Sequence, residues 1–364
     1  MSQLFSKCNI ANLEVKNRFV RSATEEYIAS EDGSVSQDKM SIFEKLAAGG
    51  SGLIILGHSF IDMQGRCHIR QKGIHDDRMI ESFIRIKEKI KAVDSNINIA
   101  VQINHGGRQS DPSITSPIAP SAIRPRGMRV KPREMTKEEI KDVIRKFADA
   151  AVRAEEAGVD AVQIHSAHGY LLSQFLSPYT NRRNDEWGGD RKGRLRIVKE
   201  IIEKIKEKVS AGFPLFIKIN IADFVEGGLT PEEGIENAIE IGEEGIAAIE
   251  PSCAIAETKT QLGAARPGII KEEMEAYFSD FAKKIKKNSS AKVFLVGGVR
   301  SRKIMEKTID DGIADLISMS RPLIREPDLP LKIYNGKEKA DCISCNRCFH
   351  PEEGEVRCRV IENN

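Results

Sequence analysis

The chain of 364 residues sets 56 Lys and Arg against 54 Asp and Glu, a formal net charge of +2, and is 40% hydrophobic and 30% charged. So even a balance excludes a general nucleic-acid or anionic-membrane binder, and no run approaches the ~20 apolar residues of a membrane span. The start, MSQLFSKCNI, lacks the apolar core of a signal peptide, and Cys8, Cys67 and Cys253 have no obvious pairing, which predicts a cytoplasmic protein with reduced thiols.

In chain order, NIANLEVKN (9–17) predicts a short hairpin capping a barrel floor. Eight apolar runs follow: 18–23, 52–58, 98–104, 161–165, 215–220, 247–252, 292–298 and 316–321. Continuous Val, Ile and Leu suits parallel strands buried on both faces. Between the runs lie helix patterns. In 136–158, Thr136 and Glu139 form a capping box and Gly158 stops the helix. In 230–245, Pro231 stands at the first helical position. Eight strands, each followed by a helix or long connection, predict an α/β fold of the (β/α)8 TIM-barrel class, with a doubly wound open sheet as the rival. The stretch 106–135 holds Pro112, Pro117, Pro120, Pro125 and Pro132, and loops this long usually act as lids or covers.

Polar residues at the carboxyl ends of barrel strands read as site residues. The third strand delivers Gln102, Asn104, His105 and Arg108, and the fifth carries Lys218, which needs a partner inside an apolar run. Gly297 and Gly298 at the end of the seventh strand, with Ser320 and Arg321 at the end of the eighth, match the usual barrel phosphate site. His165 ends the fourth strand, His168 and Tyr170 follow within one turn, and together they could hold an oxygen and deliver a proton. H-x-x-H is also half of a zinc site, but no third ligand follows it.

The segments LEVKNRFVRSAT, GGSGLIILGH, QINHGGRQ, REMTKEEI, GVDAVQIHSAHGYLLSQFLSPYTNRRNDEWGG, FLVGGVRS and SMSRPLIREPDL together resemble the old yellow enzyme family of FMN-dependent oxidoreductases, NADH:flavin oxidoreductases and ene-reductases. The resemblance implies a (β/α)8 barrel that binds FMN over residues 1–335. Ser22, Ala23, Thr24, Gly57 and His58 would flank the flavin ring. Gln102 would bond its pyrimidine edge and Lys218, where the family commonly has arginine, would sit near N1 and O2. Gly297, Gly298, Ser320 and Arg321 would hold the phosphate. His165 and His168 would hold a substrate carbonyl oxygen, hydride would pass from flavin N5 to the β-carbon, and Tyr170 would protonate the α-carbon. Glu25 and Glu26 depart from the small, thiol or hydroxyl residues found there in some branches.

Residues 336–364 form a cysteine-rich extension in which Cys342, Cys345, Cys348 and Cys358 lie within eighteen residues. Close thiol spacing suits one metal centre, iron–sulfur or zinc. The resemblance is to the branch of 2,4-dienoyl-CoA reductase and trimethylamine dehydrogenase, which carries a [4Fe–4S] cluster at this point and continues into nucleotide-binding domains. In that branch the middle cysteine gap is one residue longer and the last gap two longer. The expected function is reduction of a C=C bond conjugated to a carbonyl, with an enone or enoate substrate. The electron donor would be NAD(P)H, or a ferredoxin-like protein if the tail holds iron–sulfur. Oxidative dehydrogenation of an amine is the rival enzyme reading. A flavin-free barrel whose metal-stapled tail serves assembly or partner binding is the rival of another class. No nucleic-acid or membrane partner is expected, and the tail leaves homo-oligomer formation open.

Overall fold

A computed structural model describes residues 2–349 and 354–360. A two-stranded antiparallel hairpin, β1 (Cys8–Ile10) and β2 (Leu13–Val15), comes first. It is followed by β3 (Phe19–Arg21), α1 (Ser41–Ala48), β4 (Leu53–Phe60), α2 (Ile80–Val93) and β5 (Asn98–Asn104). Next come the short pair β6 (Ile118–Ala119) and β7 (Arg133–Glu134), then α3 (Lys137–Glu156), β8 (Ala161–Ser166), α4 (Leu171–Leu176) and α5 (Arg191–Lys208). The remainder is β9 (Leu215–Asn220), α6 (Pro231–Glu243), β10 (Ala248–Ser252), α7 (Ser279–Asn288), β11 (Lys292–Leu295), α8 (Arg302–Asp310), β12 (Leu316–Met319), α9 (Arg321–Arg325) and α10 (Leu329–Tyr334). The strands β3, β4, β5, β8, β9, β10, β11 and β12 close into a parallel barrel in that order. Closure rules out the open-sheet rival.

All eight expected strands form. They are fully buried along β4, β5, β8, β9 and β10 because helices cover the outside and side chains fill the inside. The capping box of α3 is present, with Thr136 Oγ1 accepting from the Glu139 N–H and Glu139 Oε2 accepting from the Thr136 N–H. β11 stops at Leu295, earlier than expected, because Gly297 (φ 128°) and Gly298 (φ 72°) turn the chain off the barrel.

Strand side chains alternate sides, so inward residues form layers. Val20, Leu53, Ile55, Ala100, Ala161, Phe216, Ala248, Phe294 and Leu316 make an apolar floor, and Ile10 and Val15 of the hairpin plug it from below, as expected. Phe216 and Phe294 meet edge-to-face at 5.5 Å within it. Outward residues such as Ile54, Val101, Ile164, Ile217 and Leu295 belong to the larger core beneath the helices. The tail runs back over the barrel: the Ala340 N–H donates to Arg300 O, the Asp341 N–H to Glu326 Oε2 and the Val356 N–H to Glu26 O. Among the described residues no helix is long and apolar enough to cross a membrane.

Candidate active site

Two residues beyond the floor, the same inward rows turn polar: Ser22, Gln102, Gln163, Lys218, Glu250 and Ser318, all buried. Glu250, fully shielded from solvent, is the hub. Its Oε1 accepts from Ser22 Oγ at 2.8 Å and Ser318 Oγ at 2.7 Å. Its Oε2 accepts from Gln163 Nε2 at 2.9 Å and lies 3.3 Å from Lys218 Nζ. Lys218 also donates to Ser22 Oγ at 2.9 Å, and Gln102 Nε2 donates to Gln163 Oε1 at 2.7 Å. Lys218 thus has the buried acidic partner that its place in an apolar strand demands. Neither Glu250 nor Gln163 was singled out from the sequence, although each is polar at an inward position of a buried strand.

Above this layer opens a cavity of about 1130 Å³, including its solvent-open mouth. Ser22, Ala23, Thr24, His58, Gln102, Lys218, Gly297, Gly298, Ser320 and Arg321 all line it, with His165, His168 and Tyr170. Gly57 does not. It lies behind the wall, where a Cβ would meet Thr24 O at 2.3 Å, so its glycine permits close approach of the two chain segments. The proline-rich stretch 106–135 lies at the carboxyl-end face, as its place after the third barrel strand implies, but no residue of it lines the cavity. That stretch instead packs on the β8–α5 connection, where Arg183 Nη1 donates to Pro120 O and Met135 O. Ala264, Ala265, Tyr277, Ser344 and Phe349 supply wall instead.

Of the other residues after β5, Asn104 Nδ2 contacts His58 Nδ1 at 3.0 Å, and Arg108 pairs with both Glu257 oxygens at 2.9 and 2.6 Å. His105 is buried away from the cavity, and burial lowers its pKa to about 4.

The imidazoles and the phenol converge. The ring of His165 lies 5.0 Å from those of His168 and Tyr170, and the His58 ring lies 5.0 Å from Tyr170. Burial lowers His168 and His58 to about 3, and His165 well below the usual histidine range, so all three are neutral near pH 7. His165 Nδ1 accepts from the Ala167 N–H at 3.3 Å, which puts its proton on Nε2. His168 Nε2 is bonded to Ser252 Oγ at 2.7 Å, and the residue is held in a left-handed backbone conformation, φ 64°. Burial raises the Tyr170 phenol well above its ordinary range, so it keeps its proton.

The two acidic residues after β3 have different fates. Glu26 accepts from the Gly57 N–H at 3.0 Å and forms an ion pair with the fully buried Lys72. Glu25 lines the cavity wall 3.4 Å from His58 Nε2 and 4.0 Å from His68 Nε2, and burial raises its pKa.

In the tail, Cys342, Cys345, Cys348 and Cys358 line one small cavity of about 340 Å³ beside Arg321 and Arg325. Arg325 Nη1 donates to Cys358 Sγ at 3.5 Å. Among the described residues no three His, Cys, Asp or Glu side chains are placed to hold a single metal ion.

The NADH:flavin oxidoreductase / NADH oxidase family model matches residues 3–340. An NADH oxidase of Thermoanaerobacter brockii is 39% identical over 94% of this chain, which spans 52% of that protein. An NADPH dehydrogenase of Bacillus cytotoxicus is 36% identical over 92% of each chain. Among solved structures, a 2-naphthoyl-CoA reductase in complex with 2-naphthoyl-CoA superposes with TM-score 0.87 at 26% identity, covering 95% of this chain and 54% of that one. The old yellow enzyme homologue from Zymomonas mobilis gives TM-score 0.79 at 25% identity, covering 94% and 95%. The chain thus spans about half the length of two of these relatives and nearly all of the other two. With this match across the barrel and a polar mouth at its carboxyl end, the chain belongs to the NADH:flavin oxidoreductase / NADH oxidase family, the old yellow enzyme family.

Proposed function

We propose that this protein is an FMN-dependent oxidoreductase that reduces the C=C bond of an α,β-unsaturated carbonyl compound with electrons from NAD(P)H. The observation that carries the reading is the neutral His165–His168 pair beside a protonated, buried phenol in one cavity. The names of the related NADH oxidase and NADPH dehydrogenases support the nicotinamide donor.

The residues present fit FMN. Gln102 Oε1 accepts no hydrogen bond from a described residue, and the described hydrogen bonds of the Arg321 side chain all use Nη1, so Nε and Nη2 are left for a ligand. Gln102 and Lys218 would hold the pyrimidine edge, and Gly297, Gly298, Ser320 and Arg321 the phosphate. When bound, FMN supplies the hydride that reaches the β-carbon. His165 donates from Nε2 to the carbonyl oxygen. His168, committed through Nε2 to Ser252, has Nδ1 left for the same task. Their donation draws electron density from the double bond without an imidazolium charge. Tyr170 Oη then gives its proton to the α-carbon.

Amine oxidation is the weaker reading. Tyr27, Tyr170, Tyr277 and Phe349 line the cavity, but the neutral His165 and His168 offer N–H donors that suit a carbonyl oxygen and not a cationic amine.

Replacing Tyr170 with Phe is expected to slow enone reduction about 10²-fold or more while FMN stays bound. Unchanged turnover would remove the phenol from the reaction. Replacing His165 and His168 together should weaken phenolate binding, read as loss of the charge-transfer band.

We also infer that the four tail cysteines carry a [4Fe–4S] cluster. What supports a shared centre is that all four cysteines line one small cavity beside Arg321 and Arg325, and four thiolates suit an iron–sulfur cluster as they suit zinc. A ferredoxin-like protein is then a second candidate electron donor. About four iron and four sulfide per anaerobically purified chain are expected, and stoichiometric zinc would overturn the assignment.

A further inference from the structure

Arg321 stands in two walls at once, lining both the large cavity and the small one ringed by cysteines. Its guanidinium Nη1 donates to Arg266 O at 2.7 Å, Asn346 Oδ1 at 2.7 Å and Ser344 O at 3.5 Å. Two of these acceptors belong to the cysteine loop. The same loop holds the neighbouring wall segment, to which Arg321 also bonds through Arg266 O: Asn346 Nδ2 donates to Ala265 O at 2.8 Å, and Ser344 O accepts from the Gly268 N–H at 3.0 Å. One asparagine therefore ties together the arginine and the chain segment beside it.

The backbone supports this placement. Ser344 (φ 53°) and Asn346 (φ 63°) both adopt the left-handed region, which non-glycine residues reach at a cost and asparagine tolerates better than most. Cys345 lies between them, and Cys342 and Cys348 stand two residues outside them. Whatever gathers those thiols fixes the turn that presents Asn346.

We propose that Asn346 is a positioning residue that aims Arg321 at the phosphate of FMN, and that it thereby couples the state of the four-cysteine site to the affinity for phosphate-bearing flavin. This rests on Arg321 being the phosphate ligand. Because linkage is reciprocal, bound FMN in turn orders the cysteine loop.

The test compares FMN with riboflavin, which has the same ring and no phosphate, by fluorescence quenching on the full chain stripped of flavin. Asn346→Ala should lower FMN affinity about tenfold, the loss expected for a hydrogen bond to a charged group, and riboflavin affinity much less. A merely structural role would weaken both alike. If Arg321→Ala lowers the FMN-to-riboflavin ratio and Asn346→Ala does not, the positioning role is wrong and the phosphate site stands. If neither substitution moves the ratio, the phosphate assignment itself is wrong. A second measurement needs no substitution: the rate at which a chelator strips metal from the four-cysteine site of the anaerobically purified chain. FMN should slow that release more than riboflavin does. Equal rates with both flavins would overturn the coupling.

Discussion

The floor and the mouth of the barrel are built by the same strands, two residues apart. The floor is Val, Leu, Ile, Ala and Phe, closed from below by the hairpin; the mouth is Ser, Gln, Lys and Glu, joined through Glu250. The inward period of two is common to both layers. What differs is solvation: floor residues gain by leaving water, whereas mouth residues stay buried only because each has a partner. A floor change should therefore read out in stability, and a mouth change in charge, pH and ligand.

The largest expected effect is on the floor. Phe216→Ala should cost about 3–5 kcal/mol of unfolding free energy, measured by urea denaturation, and leave the FMN content of the folded fraction intact. Loss of flavin at constant stability would break the division. Next comes the hub. Glu250→Gln keeps the shape and removes the charge beside Lys218, so a loss of about 2 kcal/mol is expected. Adding Lys218→Met should recover part of that loss, because the uncompensated buried cation is then gone. Strict additivity in the double-mutant cycle would show that the two do not act as a pair.

At neutral pH the smallest effect is that of the buried histidines, which sharpen the comparison only as the pH falls. His58 and His168 titrate at about 3 in the fold, and His68 and His105 at about 4, against an ordinary 6.5. Burial, which disfavours the imidazolium, is the main cause for each. The unfolded chain therefore binds protons that the fold refuses. Stability is lost as pH falls from 6.5 toward these values, by about 1.4 kcal/mol per pH unit for each histidine. His168→Asn should flatten the slope between pH 6 and 4 by one such increment, and an unaltered slope would mean that His168 is protonated in the fold.

Much of this architecture was legible in the sequence. Continuous apolar runs gave the eight strands, and the capping box gave α3, because both signals are local. The mouth was legible where a polar residue ended a strand, as with His165 and Gln102. Glu250 was missed because AAIEPS was read as one apolar run; its inward position, in register with Lys218, carried the signal. Residues 106–135 follow the third barrel strand and so lie at the carboxyl-end face, but direction there is set by long-range contacts such as Arg183 with Pro120 and Met135. The same holds for the tail, where four thiols announce a centre but nothing local links Asn346 to Arg321 and Ala265.

The most direct test of the central claim is anaerobic stopped-flow spectrophotometry of the FMN-loaded, photoreduced protein mixed with 2-cyclohexenone. The account predicts that the oxidised flavin spectrum returns as enone is consumed mole for mole, and that Tyr170→Phe slows that return about 10²-fold. A flavin that stays reduced under excess enone, yet reoxidises as soon as oxygen is admitted, would contradict it.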